Sequence, residues 1–159
     1  MAVREILLHP HPLLTQRAER VDPADADGVV RDLLDTMRSF GHCVGIAAPQ
    51  IAELVRIAVV DCTGHPKAPD AQGELVLINP VIVAASGSKV GREGCLSIPA
   101  FTANVRRATE ITVEAEGLRL DASGFEARAI QHEIDHLDGL LFLDKVESLE
   151  ADVFPRKSR

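Results

Sequence analysis

The sequence predicts an α+β protein: mostly antiparallel strands packed around a central helix that bears a His-Glu-x-x-His motif, with another helix near the N-terminus. Three observations predict it. Residues 23–40 place Val29, Val30, Leu33, Leu34, Met37 and Phe40 on one face of a 3.6-residue period. Residues 55–120 break into short β-rich runs separated by Gly and Pro. Residues from Ser123 onward regain a helical pattern.

Each element follows in order. Asp22 or Asp25 can cap the first helix, and Gly41 and Gly45 mark its end. Residues 55–60 read as a strand, and residues 62–73, with their Gly and Pro, as a loop. Residues 75–85 read as a second strand that Pro80 breaks or places at an edge. Residues 86–99 alternate poorly and are rich in Gly. Residues 111–115 and 118–120, joined at Gly117, predict a hairpin. Ser123 and Glu126 have the spacing of a capping box opening the last helix, whose apolar face includes Phe125 and Ala129, and Gly139 is placed to end it.

The 159 residues fit one domain, 1–159, with about 147–159 as a short tail. Five Phe and no Tyr or Trp mean a core of Val, Ile, Leu and Ala, and argue against a reader of single-stranded nucleic acid that stacks bases on aromatics. A net charge of −7 argues against a general nucleic-acid binder, sequence-specific or otherwise. No apolar run approaches the length needed to cross a bilayer, and residues 1–11 hold no apolar signal core, so the expected location is the cytoplasm, with no membrane partner. The odd, widely spaced Cys43, Cys62 and Cys95 do not suggest a disulfide framework.

The chemistry lies in His132-Glu133-Ile134-Asp135-His136. Two histidines four residues apart share one helix face and can converge on one metal, and the Glu beside the first can serve as general base toward a water on that metal. The bland alternative is two surface histidines in a solvated charge cluster. A catalytic metal needs a third protein ligand and an open position. The longer HExxHxxGxxH pattern fails, because Phe142 stands where its third His belongs. Glu147 and Glu150 downstream, or Cys95 upstream, can complete the set; Cys43 and Cys62 sit among apolar residues and read as core.

Three segments, in order, resemble the peptide deformylase family. They are Cys43-Val44-Gly45-Ile46-Ala47-Ala48-Pro49-Gln50, Glu93-Gly94-Cys95-Leu96-Ser97 and Gln131-His132-Glu133-Ile134-Asp135-His136. Weaker matches lie at residues 76–80 and 136–139, so the resemblance spans roughly residues 6–145. It implies that Cys95, His132 and His136 bind one divalent metal per chain. Iron(II) is the family's usual cellular ion; zinc, nickel or cobalt can take the same site, and zinc is what Cys/His ligation alone suggests. It implies that Glu133 is the general base, and that the Gln50 side chain and the Leu96 backbone N–H stabilise an oxyanion. The substrate would be the N-terminal formylmethionine of nascent bacterial proteins, the product formate, and the methionine pocket would be lined by Val44, Gly45, Phe125 and Ala129. The other readings are a deformylase-like amide hydrolase acting on another small N-acyl compound, and a non-catalytic metal-binding relative.

This chain departs from the family pattern at Cys43, where the first motif has Gly, and at Ala100, where a Gly commonly follows the Pro of the second. Cys43 either crowds the substrate groove or packs away from it, and the apolar neighbours favour packing. Glu93 and Arg107 are expected either to pair and hold the Cys95 segment or to form a solvated surface pair. The ribosome near the exit tunnel is a further partner the family suggests. The closing basic residues 155–159 could touch ribosomal RNA, but they read first as a frayed, solvated tail.

Overall fold

The computed structural model describes residues 2–156. These described residues form two α-helices and nine strands in three antiparallel three-stranded sheets. The sheets are built from β1 (Gly45–Ala47), β2 (Ile57–Asp61) and β3 (Glu74–Ile78); from β4 (Val81–Ser86), β7 (Glu110–Ala115) and β8 (Leu118–Ser123); and from β5 (Lys89–Cys95), β6 (Ile98–Arg107) and β9 (Val153–Pro155).

The predicted first helix is α1 (Asp27–Ser39), preceded by a separate 3₁₀ turn at Pro23–Asp25. Asp22 caps that turn, accepting from the Ala24 N–H at 2.9 Å, whereas α1 itself has no side-chain cap. Leu33 and Met37 of α1 pack on Ile57 and Val59 of β2. The alternate residue Val60 faces the other way, toward α2 (Gly124–Leu137). With both faces covered, β2 reads as an unbroken apolar run rather than an alternating one.

Residues 75–85 are two strands in two sheets. The chain turns at Asn79, which adopts φ +51°, and Pro80 prevents continuation. The Asn79 amide also holds Val21, accepting from its N–H at 3.0 Å and donating to its carbonyl at 2.8 Å. The Gly-rich stretch 86–99 proves to be β5 and the start of β6. Its weak alternation has a packing cause: a Cβ on Gly91 would lie 2.9 Å from the Arg128 guanidinium carbon, so this strand needs Gly where Arg128 crosses it. The 111–120 hairpin forms as predicted, turning at Gly117 with φ +67°.

The α2 helix is sandwiched between the first two sheets: Ala127, Ala129, Ile130 and Ile134 meet Val60 and Leu77 on one side and Ile111, Val113, Leu120 and Ala122 on the other. The expected capping box does not form. Ser123 makes no side-chain cap, and Glu126 instead binds Gln72 of the 62–73 loop, accepting from its backbone N–H at 2.9 Å and its side chain at 2.8 Å. The helix ends as predicted at Gly139, φ +77°, in a Schellman motif: Gly139 N–H bonds His136 O and Leu140 N–H bonds Asp135 O. Buried Arg56 donates to Leu137 O at 2.8 Å and to Asp138 at 2.7 Å, placing a cation at the negative end of the helix dipole.

The C-terminal segment departs from its reading as a frayed tail. Val153, Phe154 and Pro155 pair with Ala103, Thr102 and Phe101 of β6, and the Arg156 N–H bonds Ala100 O. Residues 157–159, part of the basic ending, lie outside the described residues. No described helix is long and apolar enough to cross a membrane.

Candidate metal centre

One turn of helix separates His132 from His136, so both rings leave the same face of α2. The β5–β6 hairpin delivers Cys95 to that face from a different sheet. Cys95 Sγ lies 3.3 Å from His136 Nε2, and one donor atom from each of Cys95, His132 and His136 falls within 4.8 Å of the others. All three residues are buried. Burial alone would push the Cys95 thiol up, but the His136 and His132 rings outweigh it and hold the thiol well below its ordinary value. A low thiol with two imidazoles is a donor set for a late divalent metal, and the geometry supports Cys95 rather than a downstream carboxylate. Glu147 points instead at Arg106, 3.0 Å away on an exposed edge.

A second layer of charge holds the first. His132 Nδ1 lies 2.9 Å from Glu93 Oε1. A proton donated there leaves the other ring nitrogen as the ligand atom. Glu93 also accepts two bonds from Arg107 at 2.9 Å and one from Arg128 at 2.8 Å. Burial disfavours the Glu93 carboxylate, yet Arg107 and His132 hold it well below the usual range. Arg107 further reaches Asp135 on α2. The Glu93–Arg107 pair is therefore buried, 5% exposed on each side, rather than solvated. Removing one member of such a pair costs about 3–5 kcal/mol, because the other charge stays buried alone. Arg128 was not singled out from the sequence; its position one turn before His132 is the signal that could have found it.

Glu133 lies over β1. A Cβ on Gly45 would come within 2.8 Å of Glu133 Oε2, so Gly at that position makes room for the carboxylate. Burial pushes Glu133 up to about 7, and its Oε1 is buried without a hydrogen-bond partner among the described residues. A carboxyl poised near neutrality can both take and return a proton. Gln50 is 2% exposed. Its Oε1 accepts from the Ala47 N–H at 3.0 Å, which aims Nε2 at Ser97 Oγ, 3.1 Å away, and at Cys95 Sγ, 3.5 Å away. Leu96 sits in the two-residue turn between β5 and β6, directly after Cys95.

These groups open onto one cavity of about 210 Å³. Its walls include Val44, Gly45, Phe125 and Ala129, the four residues expected to line the substrate pocket, together with Gln50, Cys95, Leu96, His132 and Glu133. His42, Arg92, Arg128 and Arg156 also border it, and none was expected there. Phe125 is held in place by stacking on His65, with ring centroids 4.2 Å apart.

Cys43 borders the cavity yet packs against the α1 core, and its thiol donates to Gly45 O at 3.2 Å. Burial pushes this thiol up to about 12, and the core thiol of Cys62 likewise to about 12. Cys43 is therefore expected to alkylate at pH 8 more slowly than a free thiol and without protection by a substrate analogue, as read by peptide mapping. Cys43→Gly is expected to cost about 1–2 kcal/mol of stability, through lost packing and added chain freedom. Rapid labelling of Cys43 that a substrate analogue blocks would contradict this placement and put the thiol in the groove.

The sequence matches the family described as Polypeptide deformylase over residues 3–152. It is 42% identical over 163 residues to peptide deformylase 2 of Vibrio cholerae, covering 99% of this chain and 94% of that protein. It is 46% identical over 155 residues to the peptide deformylase of Thermomicrobium roseum, covering 92% and 88%. Among solved structures it resembles a class I type b peptide deformylase from Acinetobacter baumannii bound to Met-Ala-Ser, with a TM-score of 0.81, 31% identity, and coverage of 91% of this chain and 99% of that one.

Proposed function

The chain belongs to the polypeptide deformylase family and is an enzyme, and from that premise we propose that it removes the formyl group from N-terminal formylmethionine, releasing formate and a free amine, in the bacterial cytoplasm. The observation that carries the reading is the buried Cys95, His132 and His136 donor cluster, which reaches through Cys95 and His132 the same cavity that Glu133 and Gln50 line.

Cys95, His132 and His136 would hold one divalent ion. The donor chemistry fits iron(II), the family's usual ion, and also zinc, nickel or cobalt. Such an ion, when bound, supplies Lewis acidity that polarises the formyl oxygen and acidifies an attacking water. Glu133 accepts the proton of that water as its oxygen bonds to the formyl carbon. As the carbon–nitrogen bond breaks, Glu133 returns the proton to the departing amine. Gln50 Nε2 and the Leu96 N–H donate to the oxyanion that forms between these steps. Glu93 keeps the His132 ring fixed throughout, so the donor set does not have to reorganise during turnover.

The methionine side chain would occupy the apolar wall of Val44, Phe125 and Ala129, with Gly45 alongside. β1 is an edge strand of its sheet, a setting in which an extended peptide can add as a further strand. The Acinetobacter neighbour, solved with Met-Ala-Ser bound, supports a peptide occupant. The test compares kcat/KM for formyl-Met-Ala, acetyl-Met-Ala and formyl-Ala-Ala. The proposal requires the first to exceed both others by at least tenfold; equal rates on the acetyl peptide would favour a general N-acyl amide hydrolase.

A further inference from the structure

The mouth of the catalytic cavity carries charge of one sign. Its bordering acidic residues are Glu93 and Glu133, both buried. Glu93 is matched by Arg107 and Arg128. Two other guanidinium groups, of Arg92 and Arg156, border the same cavity from exposed positions. Neither has an acidic partner among the described residues. Arg92 lies over the Phe154 ring, 3.9 Å from its centroid, and donates only to neutral side chains, Asn104 at 3.1 Å and Thr102 at 3.3 Å. Arg156 is brought back to the hairpin by β9: its N–H bonds Ala100 O, and a Cβ on Gly94, next to Cys95, would run into its Nη2. Both cations thus depend on the C-terminal segment pairing with β6. They stand out further because the chain as a whole carries −7.

We propose that Arg92 and Arg156 form a carboxylate-recognising rim that makes this enzyme favour formyl peptides with a negative charge soon after the methionine. The inference rests on the deformylase reading of the same cavity. A peptide entering the cavity carries its later residues out past this rim. A carboxylate there meets two guanidinium groups, that of Arg92 held by stacking and two hydrogen bonds, while a cation meets like charge. The carboxylate can belong to an Asp or Glu side chain or to the C-terminus of a short peptide. Because the rim is solvent-facing, the gain is modest and screened by salt.

The experiment measures kcat/KM of the metal-loaded enzyme for formyl-Met-Ala-Glu-amide against formyl-Met-Ala-Gln-amide, and for formyl-Met-Ala against its amide. The first pair reads a side-chain carboxylate and the second a terminal one. At low salt at least one ratio is expected to be about fivefold in favour of the charged peptide, as two exposed ion pairs allow. It is expected to approach one at 1 M salt and in the Arg92→Gln/Arg156→Gln double variant, while the lysine double variant keeps most of it. The ratio within each variant is the readout, so a general loss of activity or stability does not imitate the effect. Ratios near one in the unaltered enzyme, with the neutral peptides still turned over, overturn the rim and leave the deformylase reading intact. A ratio that survives the glutamine double variant overturns it as well. Failure to turn over any formyl peptide overturns the deformylase reading and this inference with it.

Discussion

Glu133→Gln is expected to keep one metal ion per chain and to lose about 10²–10⁴-fold in kcat, toward the upper end of what a positioned general base contributes. The substitution keeps the side chain's size, so it still fits in the space left over Gly45. Among the described residues, it removes the one carboxyl lining the cavity that is free to exchange a proton, since Glu93 is committed to Arg107, Arg128 and His132. Steady-state formate release and metal analysis on the same preparation check this. Turnover within tenfold of the unaltered enzyme would contradict the proton-transfer role.

Cys95→Ala is expected to lose the metal, and activity with it, whereas Cys62→Ala keeps both. The two cysteines differ in setting. Cys95 lies against His136 with its thiol held low, while Cys62 is packed among Val60, Leu75 and Leu77 with its thiol pushed up. A two-histidine remnant lacks the thiolate that neutralises half of the ion's charge, and the affinity falls accordingly. Full metal occupancy in Cys95→Ala, measured by elemental analysis after dialysis against a chelator, would contradict this ligand set.

The centre of the site was legible because its signals are local or ordered along the chain. His132 and His136 share a helix face by spacing alone, and Gly139 ends that helix as its position suggests. The three motifs named Cys95, Gln50 and Leu96 by resemblance, and the fold then carries them to one cavity. What escaped reading is set by distant partners. Glu126 looked like half of a capping box, but Gln72, far away in sequence, takes its carboxylate. Residues 86–99 looked poorly patterned because Gly91 answers to Arg128 rather than to strand propensity. Arg56 gave no local hint that it closes the C-terminus of α2. Nor did residues 153–155 announce a strand, since only pairing with β6 makes them one, and so the arginines at the cavity mouth were missed. Burial on both sides turned the Glu93–Arg107 pair from an open alternative into the support of His132.

We propose that these residues form one metallohydrolase site for the formyl group. This is tested most directly by incubating nickel- or iron(II)-loaded protein, without oxygen, with formyl-Met-Ala-Ser and quantifying formate and new free amine together. Both products are expected in equal amounts, catalytically and in proportion to bound metal. Protein that holds one metal per chain at Cys95, His132 and His136, yet releases no formate, would contradict it.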